Sequence, residues 1–158
     1  MANQDDDEEK VGKFPVGFYF SLSIGDENDV DFQEVSGISK ELSVEEVASG
    51  GENRFKYRLP TISSSKNLVL KRALIPTGSS LLQWCQDCID GGLMNPIQTK
   101  TIMVNLLNKK GDVSVKWTFF NAYPVKYSVS DLKSQESEIL METVELAYSY
   151  FQISPDTE

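Results

Sequence analysis

The sequence predicts a mainly β, β-rich α+β fold: an antiparallel barrel of about eight strands with one flanking α-helix and an extended hairpin. Three observations predict it. Apolar and polar residues alternate with period two along most of the chain. Polar, Gly-rich turn clusters separate those runs. One stretch only, Ser79 to Asp90, has the i, i+3, i+4, i+7 apolar spacing of a helical face. With so many antiparallel strands in 158 residues, closing or nearly closing the sheet is the simplest way to remove exposed strand edges.

The elements follow in order. Met1 to Lys13 holds Asp5, Asp6, Asp7, Glu8 and Glu9 in one block and is expected to be a disordered acidic arm, residues 1–13. The barrel domain is expected over 14–153, with 154–158 as a tail. Val16, Phe18, Phe20, Leu22 and Ile24 mark the first strand, and the turn-rich Gly25 to Asp29 leads to Val30–Val35, predicted to fold back on it as a hairpin. A second hairpin runs out through Ile38, Leu42 and Val44, turns at the Gly50-Gly51 tip, and returns through Phe55, Tyr57 and Leu59. Its strands are heavily charged, so an isolated hairpin of this kind gains little from burial and requires a partner surface.

Leu68 to Leu74 reads as a more central strand. Pro76-Thr77-Gly78-Ser79 then breaks the sheet and offers N-caps for the helix, whose apolar face holds Leu81, Leu82, Trp84, Cys85, Cys88 and Ile89 and which stops at Gly91-Gly92. Alternation resumes over Thr99–Leu107, turns at Lys109 to Asp112, and returns through Val113, Val115, Trp117 and Phe119. Asn121 to Pro124 is expected to bend the chain into Val125–Val129. A final strand over Ile139–Ile153 is predicted to place Val144, Leu146, Tyr148 and Tyr150 on one face.

Composition narrows the function. Lys and Arg number 15 against 24 Asp and Glu, giving a net charge of -9 with no basic stripe, a balance that repels phosphate backbones. Histidine is absent, which removes Ser-His-Asp and Cys-His nucleophile systems and His-containing metal sites. No apolar run approaches the ~20 residues of a membrane span, and the acidic start lacks a signal peptide's basic region. Two cysteines and no Asn-x-Ser/Thr acceptor fit a reducing cytosol. Cys85-x-x-Cys88 lacks the further ligands of a zinc site and falls mid-helix on the apolar face, so both thiols read as core. Asp26 to Asp31 lacks the Gly and Glu of a calcium loop. No catalytic, cofactor or metal residues are assigned. The aromatic residues leave open a ligand-binding or sugar-binding barrel.

Several stretches taken together resemble a known family. They are Phe32-Gln33-Glu34-Val35-Ser36-Gly37-Ile38; the Gly50-Gly51 tip; Leu68-Val69-Leu70-Lys71-Arg72 before a helix with Leu81 and Trp84; Val115 to Pro124; and Glu142 to Tyr148. Their order and spacing resemble the inner tube proteins of contractile phage tails and extracellular contractile injection systems, including Hcp-like tubes, over Phe14 to Ile153. The resemblance implies a structural protein, not an enzyme, whose hexameric rings stack into a tube inside a contractile sheath. It implies baseplate and tube-initiator or terminator partners and a lumen for protein cargo or DNA. It also implies assembly in the bacterial cytoplasm into a phage tail or a released tail-like particle, without stable membrane insertion. A tube initiator or baseplate-proximal ring protein is the alternative within the family, and a monomeric ligand-binding barrel the alternative outside it. In such a tube the hairpin reaches the next ring: Leu42, Val44, Val47 and Phe55 are covered, Glu45, Glu46, Arg54, Lys56 and Arg58 set register, and Gly50 and Gly51 form the tip.

Overall fold

The computed structural model describes residues 19–28, 32–75, 78–135 and 137–155. The acidic arm and the start of the first predicted strand, through Phe18, lie outside these, as do residues 156–158. Nine strands, one α-helix and a short 3-10 turn are present among the described residues: β1 Tyr19–Ile24, β2 Glu34–Ser36, β3 Glu41–Val47, β4 Tyr57–Ser64, β5 Leu68–Ala73, α1 Ser80–Ile89, the 3-10 turn Gly92–Met94, β6 Lys100–Leu107, β7 Val113–Val129, β8 Met141–Ala147 and β9 Tyr150–Pro155. The fold is β-rich with one helix.

Seven strands form one antiparallel sheet in the order β1-β6-β7-β8-β5-β2, with β9 also paired to β7. Among the described residues the path runs from β1 at one end to β2 at the other. The strand order departs from expectation in one place. Val30 and Asp31 lie outside the described residues, and the described part of the expected returning strand, β2, pairs with β5 and not with β1, Val35 facing Leu70. Alternation reports which residues are buried and is silent about which strand lies alongside.

The core is the shared apolar face of that sheet under α1. Leu22, Leu68, Leu70, Ile102, Phe119, Val144 and Leu146 are fully buried. Helix α1 closes it with Leu81, Trp84, Cys85 and Cys88, while Ile89, expected on the same face, is 39% exposed at the helix end. Ser79 caps the helix by accepting from Leu82 N at 3.2 Å, the role its side chain suits. Trp84 donates from Nε1 to the Gln98 carbonyl at 2.8 Å. The β6–β7 turn is an Asn108 side-chain turn: Oδ1 accepts from Lys110 N at 2.8 Å and Asp112 N at 3.0 Å, and Gly111 takes φ +89°.

The expected bend at Asn121 and the single final strand are both resolved differently, by one corner. Strand β7 runs unbroken for 17 residues, but Asn121 adopts φ +55° within it. Buried side chains change parity there, from Phe119 to Ala122 and Pro124. The facing strand changes parity at the same level, between β8 and β9, so that Leu146 and Phe151 are buried and Tyr150 is 51% exposed. The two defects are bonded: Ser149 N donates to Phe120 O at 2.9 Å and Asn121 Nδ2 to Ser149 Oγ at 3.3 Å. Asn tolerates the left-handed conformation better than most residues. Phe119 fills the corner, its ring 4.9 Å from Tyr148 and 5.1 Å from Phe151. Pro124 sits beside a further register shift, at Val125, where a missing N–H is tolerated.

Candidate assembly surface

The β3–β4 hairpin stands apart as its own two-stranded sheet. Every residue of both strands is exposed, so the pair has no core of its own. Two-stranded hairpins in water are marginal at best. The register pairs Leu42 with Ser63, Val44 with Pro60, Glu45 with Leu59, Glu46 with Arg58 and Val47 with Tyr57, with a bulge between Leu42 and Val44. Directly opposed residues share a face. Apolar and charged side chains are therefore mixed on both faces, and neither face is packed against the rest of the chain.

The eleven residues expected to make contacts all lie on this hairpin. Leu42, Val44, Val47 and Phe55 are 40–59% exposed; Glu45, Glu46, Lys56 and Arg58 are exposed beside them. Gly50 and Gly51 form the tip turn, closed by Glu52 N donating to Ser49 O at 3.2 Å, with Gly51 at φ +99°. Arg54 has a local partner that the sequence did not suggest: its Nε and backbone N donate to Glu52 Oε1 at 3.1 and 3.0 Å. That bond holds the Glu52 carboxyl below its usual pKa. Tyr57, Leu59 and Ile62, at 50%, 49% and 88% exposure, extend the apolar surface beyond the residues anticipated. Tyr57 meets Phe55 edge-on at 5.3 Å. Alternation signalled Tyr57 and Leu59 as strand residues; only the structure shows them bare.

The root is anchored at both ends. Gly37, at φ +87°, leads from β2 towards β3, and an added Cβ there stands 2.1 Å from the Asn67 carbonyl oxygen. Asn67, in turn, donates from Nδ2 to Glu145 Oε1 at 2.9 Å. The Lys40 ammonium lies 4.4 Å from the centre of the Phe151 ring, a cation–π contact. The hairpin is bare along its strands and held at its base.

A buried polar cluster ties the sheet to the helix start. Arg72 on β5 donates from Nε to Glu142 Oε1 on β8, and from Nη2 to Ser79 Oγ at 2.7 Å. Tyr127 on β7 donates to Glu142 Oε2 at 2.8 Å. Burial first, then that bond to the carboxylate, pushes the Tyr127 phenol up to about 12. Each charge is thus paired and hydrogen-bonded, as a buried ion requires. The cluster spans three strands and one cap, and its bonds tie those elements together.

Cys85 and Cys88 are both free and buried. Burial pushes the Cys85 thiol up to about 11, so almost none of it is the reactive thiolate at neutral pH. Native protein at pH 8 is expected to be alkylated by iodoacetamide at least tenfold more slowly than unfolded protein, read by mass spectrometry. Equal rates would refute the core assignment. Among the described residues no group of three or more Cys, Asp and Glu side chains is arranged to hold a metal, and no helix is long and apolar enough to cross a membrane. Two depressions of about 470 and 250 Å³ are open to solvent, one at the Ile24–Glu27 turn beside Lys100 and one beside Trp84 and Pro96.

Comparison with known proteins bears on this surface. Residues 16–152 match the family model of the T4-like virus tail tube protein gp19. No curated protein sequence matches the chain at a significant level. Among solved structures, a chain from the anti-feeding prophage cap, described as the tube-terminating cap, is 25% identical with a TM-score of 0.81; the match covers 99% of this chain and 100% of that one. A chain from the six-fold symmetrised anti-feeding prophage baseplate is also 25% identical, with a TM-score of 0.71 over 87% and 92% of the two chains. A chain from the sheath-tube complex of an extracellular contractile injection system, in its extended state, shares the fold at 22% identity, with a TM-score of 0.80 over 92% and 95%.

Proposed function

Because this chain belongs to the T4-like tail tube protein family, and is thus a structural protein of contractile tail tubes, we propose that its copies close into six-membered rings that stack into a hollow tube. The observation that carries this reading is the β3–β4 hairpin, exposed along both strands yet anchored at its root. A domain that projects such a module gains stability from it only when a neighbour covers it. Heterologous contacts of this kind close sideways into rings and propagate along an axis as filaments. Six-fold order is supported by the likeness to a chain in the six-fold symmetrised baseplate.

In this reading Leu42, Val44, Val47 and Phe55 are covered by the next ring, together with Tyr57, Leu59 and Ile62. Glu45, Glu46, Lys56 and Arg58 orient the contact, and the Gly50-Gly51 tip gives the turn its shape. Arg54 serves the tip through Glu52. A sheath surrounds the tube, baseplate and terminator proteins bound its ends, and its lumen passes protein cargo or DNA when the sheath shortens. The particle is assembled in the bacterial cytoplasm and, as an injection system, released. The subunit does no bond chemistry; the absence of histidine from the sequence supports that. A second reading, a ring protein at one end of the tube, is favoured by the likeness to chains in cap and baseplate structures.

Negative-stain microscopy with light scattering on the purified protein tests both. Hollow tubes or stacked six-fold rings are the expected result, and six-fold rings that never stack select the end-ring reading. A species that stays monomeric at high concentration overturns the proposal. The variant Val44→Ser/Phe55→Ser is expected to keep the wild-type circular dichroism spectrum and to raise the concentration needed for assembly by at least tenfold, each removed apolar contact being worth on the order of 1 kcal/mol or more. Assembly at the wild-type threshold would dissociate the hairpin from the contact.

A further inference from the structure

The charges of the hairpin are segregated by strand. β3, Glu41–Val47, carries Glu41, Glu45 and Glu46 and no base; the chain from Asn53 to Ser64 carries Arg54, Lys56 and Arg58 and no carboxylate. Two of the nearby cations are already engaged, Arg54 by Glu52 and Lys40 by the Phe151 ring. The remaining five groups are exposed, and none of them forms an ion pair or side-chain hydrogen bond among the described residues. Even Glu46 and Arg58, register partners across the ladder, are not joined by an ion pair. The hairpin thus presents an acidic side and a basic side, both unsatisfied.

We propose that the acidic β3 of one copy lies against the basic Lys56–Arg58 arm of the next copy's hairpin, so that the hairpins flank one another head to tail. The occupant of each side is a second copy of this chain, because the two sides complement each other and an identical hairpin supplies both. The arrangement has one polarity: acidic against acidic, or basic against basic, is repelled. It rests on the tube reading above and adds to it what aligns neighbouring hairpins before any apolar contact forms. Exposed charges of this type are screened beyond about 3 Å at 1 M salt, so high salt is expected to raise the assembly threshold.

Two variants separate pairing between copies from pairing within one hairpin. Glu45→Lys/Glu46→Lys makes the hairpin largely basic, and Lys56→Glu/Arg58→Glu makes it largely acidic. Each is expected to remain folded by circular dichroism and, alone at low salt, to need at least tenfold more protein to assemble than wild type. An equimolar mixture of the two is expected to recover rings or tubes containing both chains, identified by mass spectrometry of isolated particles. Alternating copies restore complementarity between hairpins while leaving each hairpin internally mismatched. A neutral variant, Glu45→Gln/Glu46→Gln, is expected to raise the threshold less and to weaken its dependence on salt. The proposal is overturned if either reversed variant assembles like wild type, or if the mixture stays unassembled while wild type forms tubes. If wild type itself never assembles, the tube reading falls first, and this one with it.

Discussion

Replacing Glu142 with alanine is expected to destabilise the fold by about 3–5 kcal/mol, among the largest losses any single substitution in this chain should cause. The side chains of Arg72 and Glu142 are 5% and 3% exposed, so the guanidinium left behind has no water to turn to. Its other neighbours do not replace the carboxylate: Ser79 Oγ accepts one bond, and the Phe32 ring at 5.2 Å offers only its face. The Tyr127 hydroxyl loses its acceptor in the same stroke. Urea unfolding followed by circular dichroism measures the loss as a fall in midpoint at unchanged slope. The control is the double variant Arg72→Met/Glu142→Leu, expected to lose much less, since exchanging a whole buried pair for apolar groups of similar size is often close to neutral. A double variant as unstable as Glu142→Ala would show that volume, not the stranded charge, sets the loss.

Gly37→Ala is the second large effect, for a different reason. At φ +87° any L-residue pays roughly 1–2 kcal/mol for the left-handed region. In addition its Cβ would stand 2.1 Å from the Asn67 carbonyl oxygen, a backbone atom with no rotamer to change. The backbone must move, and it moves at the hairpin root. A loss above about 2 kcal/mol is therefore expected, together with weaker assembly. Asparagine, which otherwise tolerates this conformation, should not rescue it, because it brings the same Cβ. Gly51 is the internal comparison: φ is +99° but nothing lies within 4 Å of an added Cβ. Gly51→Ala is expected to cost only about 1 kcal/mol. If Gly37→Ala and Gly51→Ala cost the same by urea unfolding, the close approach at Asn67 carries no energy.

Much of this was legible in the residues because local physics decides it. The helix limits follow from Ser79 as cap, from the spacing of Leu81, Trp84, Cys85 and Cys88, and from the Gly91-Gly92 stop; a capped amphipathic segment has few alternatives. The Lys109–Asp112 turn and the β3–β4 hairpin are set by their own turn residues and by contacts close in sequence. The hairpin's exposure was legible too, since alternation so rich in charge cannot bury two faces.

Other features had no local signal. That β2 lies on β5 and not on β1 is a choice between partners far apart in the chain, each presenting a suitable edge, and side-chain alternation is the same in either pairing. The parity change at Asn121 is hidden in the sequence because it needs a matching change at Ser149, 28 residues on, and either defect alone would expose one apolar face. Arg72 and Glu142 each read as an ordinary charge on a strand; their burial exists only when β5 and β8 are adjacent and the helix cap arrives above them. By itself, then, the sequence determined the β-rich class, the single helix, the exposed hairpin and the family resemblance, all encoded over short spans or in the order of landmarks. Tertiary structure alone decided the strand order, the bonded corner and the paired buried charges, because each depends on contacts between distant residues whose energy is realised only once both are in place.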